Sequence, residues 1–384
     1  MKVMFGTDAI RYPLTGIGRY AYELGCRLPS AADIEEVLYF CGGRVHRKLP
    51  EQPSIGFAAR AGARARRFAG SLPIIVEVFD QFSTHMQKRS LRKFRDYVFH
   101  GPAYYLPTHC GPCVATFHDL SVFMWPECHP ASRVRYMQKK LPQSMKRAHV
   151  LLTDSEFTRQ EVSTYFGWPL NRIVVAPLAA SSDYRPMGQV ETAAVLSKWG
   201  LRFGAYSLFV GTLDPRKNVD MLLDAYERMP NSLRVHMPLV VAGFEGWMSE
   251  QTIARLRAGG RNGWAHYLGF VDETLLPALY AGARVFLYPS RYEGFGLPVL
   301  EAMAAGAPVI CSNAASLPEV TGGTDGAMLV ACNDADAFHD ALIRSLEDDA
   351  WCAAARDRGL ARAKHFSWDK TVAATLTAYK LAGQ

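Results

Sequence analysis

What most constrains this chain is a rhythm. Short apolar runs alternate with amphipathic stretches almost from end to end, and the alternation halts once and then restarts. Runs at 3–5, 37–40, 114–117, 150–153 and 173–176 read as strands, with helices at 17–27, 132–147 and 155–166 between them. An apolar run too short for a helix, flanked by helical periodicity, is how a strand covered on both faces looks in a parallel sheet. The proline-flanked polar stretch at 177–186 reads as a linker. Beyond it, runs at 207–210, 239–242, 265–268, 285–288, 308–311 and 327–330 alternate with helices near 218–229, 272–281, 297–305 and 335–346. The expectation is an α/β fold of two doubly wound, Rossmann-like domains, residues 1–182 and 183–366, facing each other across a cleft. A last helix over 367–384 returns to the first domain. The stretch 43–100 is Arg-rich and weakly periodic, and no elements are assigned to it.

Ligands of open parallel sheets sit beyond the carboxyl ends of the strands, so two facing sheets make a deep cleft. Four such strand ends carry reactive residues. After the run at 285–288 comes Glu293-Gly294-Phe295-Gly296-Leu297-Pro298-Val299-Leu300-Glu301. The glycines let backbone approach a ligand, Pro298 suits a first helical turn, and the N–H groups of a helix starting near Leu297 offer a seat for phosphate. Glu301 is expected in that first turn, as an acceptor for sugar or ribose hydroxyls. After 207–210 comes Gly211-Thr212-Leu213-Asp214-Pro215-Arg216-Lys217-Asn218. A guanidinium beside an ammonium can stabilise the charge of a departing diphosphate without a metal, although such a pair at a helix start is as often just exposed.

In the first half, Thr15-Gly16-Ile17-Gly18-Arg19 opens a helix, and lacks the third glycine of a dinucleotide fingerprint. Asp8 ends the first strand and can orient an acceptor hydroxyl. His118, followed by Asp119, stands at the mouth of the run 114–117; alone it is as compatible with a structural histidine as with a site. Asp154 or Ser155 reads as a helix N-cap.

Together with Ser316-Leu317-Pro318-Glu319-Val320, the segment from Glu293 to Glu301 resembles the glutamate, seven residues, glutamate signature of family 4 retaining glycosyltransferases, over nearly the whole chain. The resemblance implies the GT-B fold. It implies that Glu293, with the backbone of Phe295 and Gly296, faces the donor sugar, that Glu301 holds the nucleotide ribose, and that the backbone around Gly296 and Leu297 meets the diphosphate. Arg216 and Lys217 match the family's G-T-x-x-P-R-K-N loop. His118 matches its H-D-L motif, which reaches the donor sugar's hydroxyls. Gly16 and Gly18 match its G-x-G-R loop, which approaches donor phosphate and acceptor. Departure and attack on one face of the sugar are implied too. The long segments around His118 and at 135–142 look like those of bacterial mannosyltransferases that extend O-antigen or exopolysaccharide. GDP-mannose is therefore the first donor expected, with UDP-sugars or GDP-rhamnose behind it, and a lipid-linked saccharide the acceptor. The backbone of Gly269-Phe270-Val271 is a candidate for base selection. A nucleotide-sugar epimerase of the same fold and a catalytically dead binding module are the rivals.

Charge is uneven. Residues 1–190 hold 25 Lys and Arg against 15 Asp and Glu, while the remainder carries −3. Much of the excess lies in two runs, 60–67 and 88–95, which read as a solvated surface or as a face for anionic membrane, with Leu91 and Phe94 placed to dip into the interface. No aromatic platform or reading helix accompanies them, so nucleic acid is not expected as a partner. No run approaches the roughly 18 apolar residues of a membrane span, and the opening MKVMFGTDAIRYP lacks a signal-peptide layout. A cytoplasmic protein, peripheral on the inner membrane face, is expected. Cys110-Gly111-Pro112-Cys113 spells a thioredoxin motif but precedes a strand rather than a helix, and a zinc site built from Cys110, Cys113, His118 and Cys128 would have one tight ligand pair where structural zinc uses two. No metal or other cofactor is expected.

Overall fold

The computed structural model describes residues 1–14, 16–50, 87 and 89–384. Thr15, the basic run at 60–67 and Lys88 lie outside the described residues. Two sheets carry the chain. The first contains β1 (Lys2–Gly6), β2 (Glu36–Cys41), β3 (Arg44–His46), β4 (Val98–Gly101), β5 (Cys113–Phe117), β6 (Val150–Thr153) and β7 (Ile173–Val175), in the order β3-β2-β1-β4-β5-β6-β7. All pairs are parallel except β2 with β3. The second contains β8 (Ser207–Val210), β9 (Leu239–Ala242), β10 (Ala265–Gly269), β11 (Val285–Tyr288), β12 (Val309–Ser312) and β13 (Met328–Val330), in the order β10-β9-β8-β11-β12-β13 and parallel throughout.

The central strands are short and buried along their whole length, β4, β5, β6, β9, β11 and β12 at every residue. That is why they appear as unbroken apolar runs rather than as alternating ones. In each sheet the order reverses beside the first strand, β1 next to β4 and β8 next to β11. Such a switch point leaves a crevice at the strands' carboxyl ends, and β1, β8 and β11 all feed loops into it.

Two expectations need correction, and the unassigned stretch gains two strands. The helix placed near 272–281 runs only from Leu276 to Ala281, because Asp272 Oδ1 accepts from the Thr274 N–H and oxygen and ties those residues into a turn. In the unassigned stretch, β3 and β4 are strands of three and four residues, too brief for a period to show. Leu91 and Phe94 do not face outward: Leu91 is buried in the core of the first half, and Phe94 packs edge-on against Tyr97.

The helix Asp349–Ala363 still packs on the second half, against Leu297–Ala305. The next helix, Trp368–Ala382, capped by Ser367, lies on the first half against β5, β6, β7 and the helix Gly16–Arg27. It buries Thr371, Val372, Thr375, Ala378, Tyr379 and Ala382 on one stripe, the i, i+3, i+4, i+7 spacing of a core-facing helix. Tyr379 OH meets His100 Nδ1 at 2.7 Å, and the other nitrogen of that buried ring meets Thr116 Oγ1 at 2.8 Å. Burial pushes His100 down to about 3, so the imidazole is neutral. The linker and this last helix are joined where Thr371 Oγ1 donates to the Pro177 carbonyl, at 2.5 Å. Among the described residues no helix is long and apolar enough to cross a membrane.

Candidate active site

The loops after β8 and β11 come together because those strands are neighbours. Asp214 caps the turn Pro215–Lys217, accepting from the Arg216 N–H at 3.1 Å. Asn218 follows with φ +56° and holds the carbonyls of Pro289 and Cys332 through Nδ2, at 3.2 and 3.0 Å, clamping one loop to the other. Lys217 is thereby buried with its Nζ donating to Tyr288 OH at 2.8 Å and to Glu293 Oε1 at 2.5 Å. Ser290 Oγ donates to the same carboxylate oxygen at 2.6 Å. Arg216 places Nη1 3.6 Å from Glu293 Oε2 and donates it to the Tyr292 carbonyl at 2.9 Å. Among the described residues its buried Nε has no hydrogen-bond partner. Burial works to raise the Glu293 carboxyl, but Lys217 and Arg216 outweigh it and hold the group below its ordinary range. Arg216 also lies 3.9 Å from Asp214 and faces Asp119, so the two cations at the ends of β8 and β11 are buried and fixed by carboxylates. The sequence reading turns Glu293 towards the donor sugar; in the structure its carboxylate orients the two bases.

Gly296, at φ +103°, precedes the helix Leu297–Ala305. Its left-handed conformation favours glycine, and a Cβ there would also lie 2.5 Å from a Leu317 methyl, which would have to move. The N-terminus of this helix faces the crevice with its positive dipole end. Glu301 is the fifth helical residue and not part of the first turn, since the helix begins at Leu297. Its Oε2 accepts from Tyr280 OH at 3.0 Å. Burial pushes it up to about 7, opposed by the Tyr280 and Tyr184 hydroxyls and the charge of Arg19.

From the first half, His118 follows β5 directly. Its Nδ1 meets Asp154 Oδ2 at 2.7 Å and its Nε2 meets the Pro102 carbonyl at 2.8 Å. Tyr20 and Tyr104 stand edge-on to the ring. Burial opposes a charge on it, yet Asp154, the Pro102 carbonyl and Asp119 raise its pKa overall. Both ring nitrogens are thus committed to protein acceptors, where the sequence reading gave them to sugar hydroxyls. Asp154 is the partner of His118 because β6 lies beside β5; the N-cap of Glu156–Phe166 is Ser155 alone. Gly16 and Gly18 sit in the first turn of Gly16–Arg27, and a Cβ at Gly16 would meet nothing within 4 Å. Arg19, next in that turn, forms an ion pair with Glu273 of the second half. Asp8 Oδ1 accepts from the Gly42 N–H at 3.0 Å.

The two halves touch directly. Gly294 offers its carbonyl to Ser155 Oγ at 2.6 Å and to Thr158 Oγ1 at 3.1 Å. Glu319 accepts from the first N–H groups of Glu156–Phe166, at 2.9 and 3.1 Å. Tyr292 OH accepts from the Leu120 N–H and donates to Glu161. Trp247 Nε1 donates to the Cys128 carbonyl at 2.5 Å. Trp247, Tyr292 and Asp154 carry no local motif, and only sheet adjacency and closure of the halves bring them in. Among the described residues no three His, Cys, Asp or Glu side chains gather as a metal would need. The Cys113 thiol is pushed up to about 12 by burial, the reverse of what a redox cysteine needs.

A family model described as "Glycosyl transferases group 1" matches residues 204–362. O-antigen chain mannosyltransferase B of Escherichia coli is 45% identical across 99% of this chain and 100% of its own length. Among solved structures, sucrose-phosphate synthase from Thermosynechococcus elongatus has a TM-score of 0.69 at 19% identity, covering 99% of this chain and 98% of that one. WaaG, a glycosyltransferase involved in lipopolysaccharide biosynthesis, has 0.68 at 16% identity, covering each chain fully at 100%.

Proposed function

The chain belongs to the glycosyl transferases group 1 family and has the GT-B fold, and on that premise we propose that it moves mannose from GDP-mannose onto a lipid-linked saccharide in cell-surface polysaccharide assembly. The observation that carries the chemistry is the pairing of Lys217 and Arg216 with Glu293 at the ends of β8 and β11. The full-length likeness to an O-antigen mannosyltransferase supports the sugar and the pathway.

The bond between anomeric carbon and phosphate oxygen breaks, and negative charge grows on the departing diphosphate. Lys217, Arg216 and the N-terminal dipole of Leu297–Ala305 stabilise it, and because they are preorganised they favour the transition state over the bound donor. The acceptor hydroxyl attacks from the face the diphosphate leaves and gives its proton to the phosphate oxygen, so that GDP and the extended saccharide are the products. Glu301 holds the ribose, and the backbone at 269–271 selects the base. Glu293 keeps the bases in register and presents its Oε2 side to the sugar. The His118–Asp154 pair stiffens the opposite wall. Turnover needs no divalent metal. The protein works in the cytoplasm at the inner membrane face, held there by its basic first half.

A panel of nucleotide sugars tests this reading, with thermal protection and product formation as readouts. GDP-mannose should protect and give product, and chelation by EDTA should leave the rate largely intact. Protection by UDP-sugars without GDP-mannose would overturn the donor; loss in EDTA with recovery in magnesium or manganese would overturn the cationic cradle.

A further inference from the structure

Arg216 and Lys217 are adjacent, yet different parts of the molecule hold them. Lys217 Nζ is fixed within the second half, by Tyr288 OH and Glu293 Oε1 at 2.8 and 2.5 Å. The Arg216 guanidinium makes a single hydrogen bond among the described residues, from Nη1 to the Tyr292 carbonyl at 2.9 Å. Its carboxylate neighbours attract it without aiming it, because Glu293 and Asp214 stand 3.6 and 3.9 Å away, beyond hydrogen-bond reach. A planar fork with one tethered nitrogen takes its direction from that tether.

Tyr292 is itself held from the other side of the cleft. It is buried, with its ring edge-on to Phe157 and the centroids 6.0 Å apart. The hydroxyl accepts from the Leu120 N–H at 2.9 Å and donates to Glu161 on the helix Glu156–Phe166. Phe157, Leu120 and Glu161 all belong to the first half. Burial, with the charges of Asp119 and Glu161 behind it, pushes the Tyr292 hydroxyl far above its ordinary range, so it keeps its proton and stays a donor. The main chain on either side has little slack. The Arg291 N–H donates to the Arg216 carbonyl at 2.8 Å, and Ser290 Oγ, which also holds Glu293, lies 3.3 Å from the carbonyls of Arg216 and Tyr292. Ring and carbonyl of Tyr292 hang from one Cα, so a grip on the hydroxyl sets the aim of the carbonyl.

We propose that Tyr292 is a positioning residue that completes the cradle only when the halves are seated: Leu120 and Glu161 of the first half hold its hydroxyl, and its carbonyl in turn aims Arg216 at the departing diphosphate. Lys217 is ready in the second half alone, whereas Arg216 depends on closure. A donor bound to an open molecule therefore meets only part of the charge that its departure needs. The inference rests on the glycosyl-transfer reading above and adds what couples its chemistry to the contact between the halves.

Two variants loosen the grip from opposite sides. Tyr292→Phe keeps the ring and removes the hydroxyl; Glu161→Leu removes its acceptor and leaves the second half untouched, while Glu161→Gln keeps an acceptor oxygen. Tyr292→Phe and Glu161→Leu should each lower kcat by about tenfold, the size of one hydrogen bond. Donor KM and GDP Kd should stay within about twofold of the wild type, because the loss falls on the transition state. Glu161→Gln should keep close to the wild-type rate. A double-mutant cycle then separates the two cations: Tyr292→Phe should cost nothing further in Arg216→Ala and its full loss in Lys217→Ala. Thermal protection by GDP shows that each variant is folded, and should Tyr292→Phe not fold, Glu161→Leu carries the same cycle. A wild-type kcat in the loosened variants, a loss that persists in full in Arg216→Ala, or an equal loss in GDP affinity sinks the inference, since packing of the ring alone would then explain Tyr292. In each of those cases the wild type still transfers and the function stands; a wild type inactive with every nucleotide sugar brings down the function and this inference with it.

Discussion

Lys217 and Glu301 have opposite electrostatic surroundings, and their substitutions should separate cleanly. Lys217 is fixed on Glu293 and Tyr288 before any substrate charge develops, so Lys217→Ala should lower kcat by about a hundredfold, the usual cost of removing one preorganised stabiliser. Donor KM should change far less, which steady-state kinetics will show. The ribose contact proposed for Glu301 would act in ground and transition states alike, so Glu301→Gln should act on donor affinity. With its carboxyl pushed up to about 7, the wild-type group gains its full acceptor strength only as pH rises through that value. Donor Kd should therefore tighten between pH 6 and 8 in the wild type and stay flat in Glu301→Gln, as calorimetry can read. The effect on stability has the other sign. A carboxyl whose folded pKa is raised binds its proton more tightly when folded, so stability falls as pH climbs from about 4.5 towards 7. Glu161, also buried and pushed up to about 7, adds to that fall and would leave part of it in the variant.

Gly294 shows what an element contributes beyond its side chains. The loop from β11 brings its backbone against the chain after β5, and a Cβ on Gly294 would stand 1.7 Å from the His118 carbonyl oxygen. Gly294→Ala should therefore keep the halves from seating, dropping turnover by about a hundredfold or more, as small misplacements of reacting groups do. On the proposed reading GDP sits on the second half, so its binding should survive in a thermal-shift assay; an alanine variant with normal turnover would show that this approach does not matter. The sequence assigned both glycines of the segment to a ligand's approach, whereas the groups that crowd them in the structure are the His118 carbonyl and Leu317; nearly all the strands were legible, because each buried strand is a compact apolar run. Glu301's turn was not read correctly: the helix starts at Leu297 as expected, and at about 3.6 residues per turn its fifth residue already lies beyond the first turn. Of the two cap candidates Ser155 is the cap, and the role of Asp154 was hidden for a different reason. An aspartate before a helix and an aspartate beneath a histidine look the same until β5 and β6 are laid side by side.

For the whole molecule, the basic first half remains the feature whose partner is to be found by binding. Leu91 and Phe94 are turned inward, so what this run offers a membrane is the charge of Arg89, Arg92, Lys93 and Arg95, at roughly 1 kcal/mol per base. Sedimentation with anionic vesicles should show binding that salt weakens and that Arg89, Arg92 and Lys93→Ser largely removes; equal partitioning onto neutral vesicles would leave the bases as solvated surface. The last helix was expected to return to the first half, and Trp368–Ala382 does so by a reversal of the chain, burying its amphipathic stripe against β5, β6 and β7. That reversal has a mechanical side. The chain passes between the halves twice, at the linker and again before Trp368, and Thr371 ties the second passage to the first. Two tethers fastened to each other behave as one joint with a lever on either side, so a small rotation at Pro177 becomes a large displacement at the far lip of the cleft. Loosening that joint, as Thr371→Val would, should alter the tempo of product escape while leaving every substrate contact in place.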